Sequence, residues 1–385
     1  MNFDFNIIDS IFAKLKRFKI KPQILKPFLT DLVCCMIGLR DAYLVDGISV
    51  EVATVHEIST IAYSTLLACG KKKKNSNNSG SVIMWGEEFH RWVDGDSSNT
   101  NTNHTHSLFV SKVLLVQLNN FDIIVCNLTE FHRKYCSLHT MGIRNVVIDV
   151  SQHDDAQSAD PAFCGRLCSA SDERVLADQL LCLFQPVWTA IETAINSPVE
   201  HIVVYAIYGN CGDMGGCDLS PELALTVDQA AGAQAVISVP NTVLSPDLSF
   251  AFLAGWLLNY SCIYHFSPKL NVSAAGGDDC AGTVACLCNQ PLTKYTISFS
   301  PRSVGSARVK PVILMEFTAP DGLLSSEYHY HSDCGGDSGC GMSVAAVIES
   351  FTAQHITRIG CLSENLGNPE VLCCKTHVCE SCIVL

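Results

Sequence analysis

Residues 248–266 read Leu-Ser-Phe-Ala-Phe-Leu-Ala-Gly-Trp-Leu-Leu-Asn-Tyr-Ser-Cys-Ile-Tyr-His-Phe, nineteen residues without Asp, Glu, Lys or Arg. That is long enough to span a bilayer. Asn259, Tyr260 and Ser261 interrupt the run, however. Ser245-Pro246-Asp247 ahead of it has the form of a helix start, with serine as cap and proline in the first turn. The segment is therefore read as a buried helix, a turn and a strand, because helices inside large domains are apolar all round.

The same alternation recurs outward from this segment. Leu25, Phe28, Leu29, Leu32, Val33 and Met36 repeat at three- and four-residue steps and predict an amphipathic helix opening near Pro27. Ala42 to Val45 is a short strand candidate. Ile58, Ile61, Ala62 and Leu66 suggest a helix closed by Gly70. Strand candidates follow at Val82 to Trp85, Phe109 to Leu118, Asp122 to Leu128 and Asn145 to Val150. A long helical pattern runs from Ser171 to about Asn196, where Pro186 is expected to kink or divide it. His201 to Tyr208, Leu292 to Phe299 and Val312 to Phe317 read as strands, and Ser343 to about Arg358 as a last helix.

Strands alternating with helices predict an α/β fold with a mainly parallel sheet flanked by helices, antiparallel edge strands and long polar loop insertions. No linker demands two units. The expected organisation is one α/β domain over residues 1–370, with flexible insertions near 70–81, 94–107, 209–221, 268–282 and 320–342. A cysteine-rich tail, 371–385, follows.

The chain has 385 residues, is 48% hydrophobic and 16% charged, and has a mean hydropathy of +0.23, so it can bury a large core. A net charge of −13 argues against nucleic acid as a partner, since phosphate binding needs clustered Lys and Arg. The basic run Lys71 to Lys74 is followed by Asn and Ser and reads as a solvated loop. The N-terminus lacks the basic-then-apolar order of a secretory signal, so a cytoplasmic location is expected, with most of the 21 cysteines reduced.

The tail ends Cys382-Ile383-Val384-Leu385, a cysteine followed by two aliphatic residues and leucine. A prenyltransferase reads this pattern, and terminal leucine favours the geranylgeranyl group. The expectation is a peripheral protein on the cytosolic face of a membrane, held through a lipid tail on Cys382. One chain is a marginal anchor, so Cys379 is a candidate for palmitoylation. A competing use of the same residues is a zinc knot of Cys374, His377, Cys379 and Cys382, although its spacing lacks a separated second pair.

Three Gly- and Asp-rich segments each hold two cysteines with five residues between them: Cys211 and Cys217, Cys280 and Cys286, Cys334 and Cys340. Structural zinc pairs usually lie closer, so polar loop insertions are the simpler account of these segments than a metal site beside His329 and His331. Gly336-Asp337-Ser338-Gly339 matches four letters of the trypsin-like nucleophile loop, without the histidine segment or the β-barrels those enzymes need. No phosphate loop, dinucleotide loop, nucleophile elbow or His-Glu-x-x-His is present, so no cofactor, metal site or catalytic residue is assigned. What remains is a set of polar residues at strand ends, Asp46, Asn127 and Asp149. Neighbouring strands would bring them into one ligand-binding crevice, whereas turn-capping residues would share no pocket.

The order Tyr43-Leu44-Val45-Asp46, then Val147-Ile148-Asp149-Val150-Ser151 before a long helix, then Leu248 to Phe266 followed by Pro291 to Phe299, resembles uncharacterised protein family 0739, the relatives of the chromosome 1 open reading frame 74 product. The helix around Phe252-Leu253-Ala254-Gly255 and Tyr264 in the following strand carry most of the likeness. The resemblance implies no assigned activity. The lipidation-like tail and the cysteine loops depart from the family pattern. Two functions follow as expectations: a prenylated peripheral protein, or a soluble enzyme or small-ligand-binding protein that uses the strand-end crevice.

Overall fold

Alternate residues of Val113-Leu114-Leu115-Val116-Gln117-Leu118 point to opposite faces of a sheet, yet all six are buried. A strand of this kind needs cover on both sides. The computed structural model describes residues 6–45, 51–74, 111–118, 122–150, 166–196, 201–208, 235–238, 242–245, 248–266, 291–300, 311–324, 329–330, 342–364 and 370–379. Within these, helices lie on both faces of the strand in question.

The main sheet has the order β1 (Ala42–Leu44), β3 (Asp122–Asn127), β2 (Val113–Leu118), β6 (His201–Tyr208) and β7 (Ala235–Ser238), with β8 (Thr242–Val243) also on β6. On one face, Val113, Leu115, Ile123 and Val125 pack with α1 (Asn6–Lys14), α2 (Pro22–Met36) and α3 (Val52–Lys74). On the other, Leu114, Val116, Ile124 and Cys126 pack with α4 (Leu128–Met141), α5 (Ala170–Asn196) and α6 (Phe250–Leu257). Full burial of a Leu or Phe contributes roughly 1.5–3 kcal/mol each, so these two layers dominate the stabilisation.

A second sheet joins β5 (Arg166–Leu167), β4 (Val146–Asp149) and β9 (Cys262–His265), and a third joins β11 (Val312–Pro320), β10 (Pro291–Ser300) and β14 (Glu370–Cys379). β12 (His329–Tyr330) and β13 (Met342–Ser343) form a short pair. α7 (Asp321–Leu324) and α8 (Val344–Glu364) complete the described elements. Tyr295, Phe317, Val344 and Ile348 bury the outer face of β4 and β9.

The fold is mixed α/β. Among the described residues four of the ten strand pairings are parallel, so strand direction is mixed and antiparallel pairing reaches beyond the sheet edges. The reason is local. Only residues 119–121 separate β2 from β3, too few for the crossover that parallel neighbours require.

Residues 248–266 do form helix, turn and strand. The cap is Ser249 rather than Ser245: its Oγ accepts from the Phe252 amide at 3.2 Å. Asn259, at φ 60°, ends the helix in the left-handed region that Asn tolerates better than most residues. The Tyr260 amide donates to Gly255 O and the Asn259 amide to Trp256 O, both at 3.1 Å, which closes the carbonyl end. Gly255 lets β9 approach closely, since a Cβ there would lie 3.0 Å from Ile263 Cγ2. Among the described residues no helix is long and apolar enough to cross a membrane.

Other elements differ from the expectation by identifiable causes. α2 opens at Pro22, not near Pro27, because proline suits the first helical position. α3 continues through Gly70 to Lys74, so the basic run is helical. α5 passes Pro186 undivided, and Ser169 caps it by accepting from the Asp172 amide. Residues 370–379 of the expected tail are strand β14, in register with β10 over its whole length. The strand expected at 82–85, the insertions near 94–107, 209–221 and 268–282, and all three cysteine-pair segments lie outside the described residues. So does the four-residue match at 336–339.

Candidate functional site

The Asn127 side chain sits at the junction of three segments. Its Oδ1 accepts from the Glu130 amide at 3.0 Å and so caps α4, while its Nδ2 donates to Cys35 O at 2.8 Å. Its backbone amide donates to Asp41 O at 2.7 Å. One residue thereby fixes both the start of α4 and the backbone of Asp41.

What α4 then presents is a charged face. Glu130, Arg133 and Lys134 stand at steps of three and four, on one side of the helix. α8 brings His355 and Arg358, again three apart. These side chains, with Asp41, Arg144, Asn145, Trp256 and Asn259, line a pocket of about 310 Å³.

Arg358 is the clamp of the cluster. Its guanidinium meets the Asp41 carboxylate on one side and Glu130 Oε2 at 2.9 Å on the other. Arg133 reaches the same Glu130 oxygen at 2.8 Å. Asp41 and Glu130 are almost fully buried, with side chains 6% and 11% exposed. Removing carboxylates from water is costly, and paired guanidinium groups offset that cost. Burial opposes ionisation of Asp41, but Arg358 and His355 nearby outweigh it and hold its carboxyl well below the usual range. Burial works against the charged form of Arg358 too; Asp41 and Glu130 prevail and raise its pKa.

The turn after α6 supplies the neutral partners. The side-chain Nδ2 of Asn259 donates to Asp41 Oδ2 and lies 3.1 Å from His355 Nε2. The imidazole accepts there only when neutral. Burial accordingly lowers the His355 pKa to about 4, against the pull of Asp41. Lys134 takes a different position. Its ammonium donates to Trp256 O at the carbonyl end of α6 and lies 4.5 Å from the centre of the indole ring. Burial lowers its pKa to about 7, opposed by the charge of Asp41. Among the described residues no carboxylate is in ion-pair range of Lys134. Arg144 is exposed at the rim and contacts the Gln354 Oε1 at 3.3 Å.

Of the strand-end residues predicted to share a crevice, Asp46 lies outside the described residues. Neither Asn127 nor Asp149 lines the pocket. Asn127 is a capping residue that positions the pocket from behind. Asp149 is buried in the second sheet, with Arg166 and His265 as its register neighbours. In the proposed zinc knot, Cys374 and His377 are three apart on a regular strand and so face opposite sides, which prevents them from sharing one ion. His377 Nδ1 instead lies 3.2 Å from Asp321 Oδ2. Cys379 is backbone-paired to Pro291 at the end of β14, and Cys382 lies outside the described residues.

Sequence reasoning missed Asp41, Lys134, His355 and Arg358. The available signals were the one-sided spacing of Glu130, Arg133 and Lys134, and the three-residue step from His355 to Arg358 on α8. Comparison with known proteins gives no match: no family model, curated protein or solved structure aligns with the chain.

Proposed function

We propose that the protein binds a small molecule bearing a phosphate or carboxylate group in the pocket between α4, α6 and α8. The carrying observation is a local excess of positive charge in a chain of net charge −13. Arg133, Lys134, Arg144 and Arg358 line the pocket against two carboxylates, Asp41 and Glu130. Arg358 and Arg133 are spent on those carboxylates. Lys134 and Arg144 are not, and an ammonium has three donors, of which Trp256 O takes one. Leu138, Trp256 and Phe351 supply apolar walls.

The site favours binding over turnover. Asp41 is held ionised by Arg358 and is a weak base, and His355 Nε2 is occupied by Asn259. Calorimetric titration with inorganic phosphate, pyrophosphate and small carboxylates tests the proposal. One-site binding is expected, weakened about tenfold or more by Lys134→Met or Arg144→Gln. For the carboxylates, whose own charge is constant there, affinity should also fall as pH rises through about 7, where Lys134 loses its proton. A wild-type protein that takes up none of these anions overturns the proposal.

Prenylation of Cys382, and with it a cytosolic membrane location, is a separate proposal supported by the Cys-Ile-Val-Leu sequence. Intact mass of protein from eukaryotic cells tests it: a geranylgeranyl increment absent from Cys382→Ser is expected, and an unmodified mass sinks it. Kinship with family 0739 is likewise proposed from the residue order given above, and assigns no activity.

A further inference from the structure

Six of the chain's 25 basic residues fall within residues 14–26, Lys-Leu-Lys-Arg-Phe-Lys-Ile-Lys-Pro-Gln-Ile-Leu-Lys, which hold no Asp or Glu. This segment joins α1 to α2 through one 3-10 turn, Lys16–Phe18, closed by Lys19 at φ 55°. Leu15, Leu25 and Phe28 are buried and pin the turn to the core. All six cations are exposed. Three of them have partners: Arg17 pairs with Glu57, Lys26 with Asp9 at 2.8 Å, and Lys14 donates to Thr65 Oγ1 at 2.9 Å. Lys16, Lys19 and Lys21 have no carboxylate in ion-pair range among the described residues. Ile24, 37% exposed, and the partly buried Phe18 and Ile20 lie among them.

We propose that this α1–α2 turn is a docking surface for an anionic lipid bilayer. A cluster of Lys and Arg near a surface of acidic headgroups gains roughly equal increments per charge, and neighbouring apolar side chains enter the headgroup boundary. The turn offers both. Its setting adds orientation, because the chain as a whole is acidic and is repelled by the same surface, whereas this end is attracted to it. A nucleic acid would meet the same charge. Here, though, a loop end with aliphatic neighbours takes the place of the helix or ribbon that enters a groove or the aromatic platform that stacks bases.

The proposal stands apart from the pocket, since none of these residues lines it, and apart from Cys382, since it needs no prenyl group. The test sediments the full chain, made in bacteria, with phosphatidylcholine vesicles with and without phosphatidylserine, at low and high salt. Lys16→Gln/Lys19→Gln/Lys21→Gln is run beside it, with circular dichroism to confirm an unchanged fold. The wild type should bind only the phosphatidylserine vesicles and be released by salt. The triple variant should lose about a hundredfold in partition. No binding to phosphatidylserine vesicles, or equal binding by the variant, overturns the proposal. Retention on single-stranded RNA without vesicle binding would assign the turn to an acidic polymer and overturn it as well.

Discussion

The pocket and the α1–α2 turn both concentrate positive charge, and they are built on opposite plans. In the turn, six cations follow one another along thirteen residues and stay in water. In the pocket, Asp41, Glu130 and Arg358 come from three separated segments and are largely withdrawn from water. Exposed charges tolerate one another because solvent screens them, and each contributes little to folding. Charges withdrawn from water depend on specific partners, because a buried carboxylate without its cation is one of the costliest defects a core can carry. Lys16, Lys19 and Lys21 at the turn are therefore free to serve a partner. In the pocket only Lys134 and Arg144 are.

The sharpest way to break this comparison is Arg358→Met, which leaves Asp41 and Glu130 without their shared cation. A loss of about 3–5 kcal/mol is expected in urea denaturation. A loss below about 1 kcal/mol would mean that water reaches the cluster. Acid titration comes next in size. Folded His355 binds its proton less well than the unfolded side chain, with a pKa of about 4 against 6.5, so acid favours the unfolded chain. Its contribution is complete above pH 6.5 and is lost as pH falls toward about 4, by at most about 3 kcal/mol. Asp41, whose folded pKa is depressed, adds a loss only below the ordinary carboxylate range. His355→Gln should flatten the upper part of the curve, as read from denaturation midpoints across pH.

Asn259 separates backbone from side chain within the pocket. Asn259→Gly keeps the left-handed turn and loses the bond to Asp41, whereas Asn259→Ala loses both. The alanine variant should be the less stable by about 1 kcal/mol, measured by thermal melting. The smallest effect belongs to the turn. Lys16→Gln/Lys19→Gln/Lys21→Gln should leave the melting midpoint unchanged within error, and a clear drop would show that these cations stabilise the fold.

Much of the element order was legible. β6 and β10 fall where period and composition place them, and the apolar stretch 248–266 divides at the polar triplet Asn259-Tyr260-Ser261. Errors gathered at boundaries, where two residues of one type competed: Ser245 against Ser249 as cap, Pro27 against Pro22 as helix start. Each was decided by which residue the packed helix left at its first turn. The candidate site was legible only in fragments. Asn127 was singled out for the right position, a strand end, and serves there as the cap that sets α4 and Asp41 rather than as a ligand.

By itself, the sequence determined what is local: short apolar strands, and helices with one or more apolar sides. These follow from periods of two and of three to four residues and from capping chemistry, which act over a few positions. The tertiary structure alone decided which charges meet. Arg358 finds Asp41 at a separation of 317 in chain numbering and Glu130 at 228. Such a contact has no local signature, because its energy arises only when packing removes water from both partners and leaves each as the other's nearest charge.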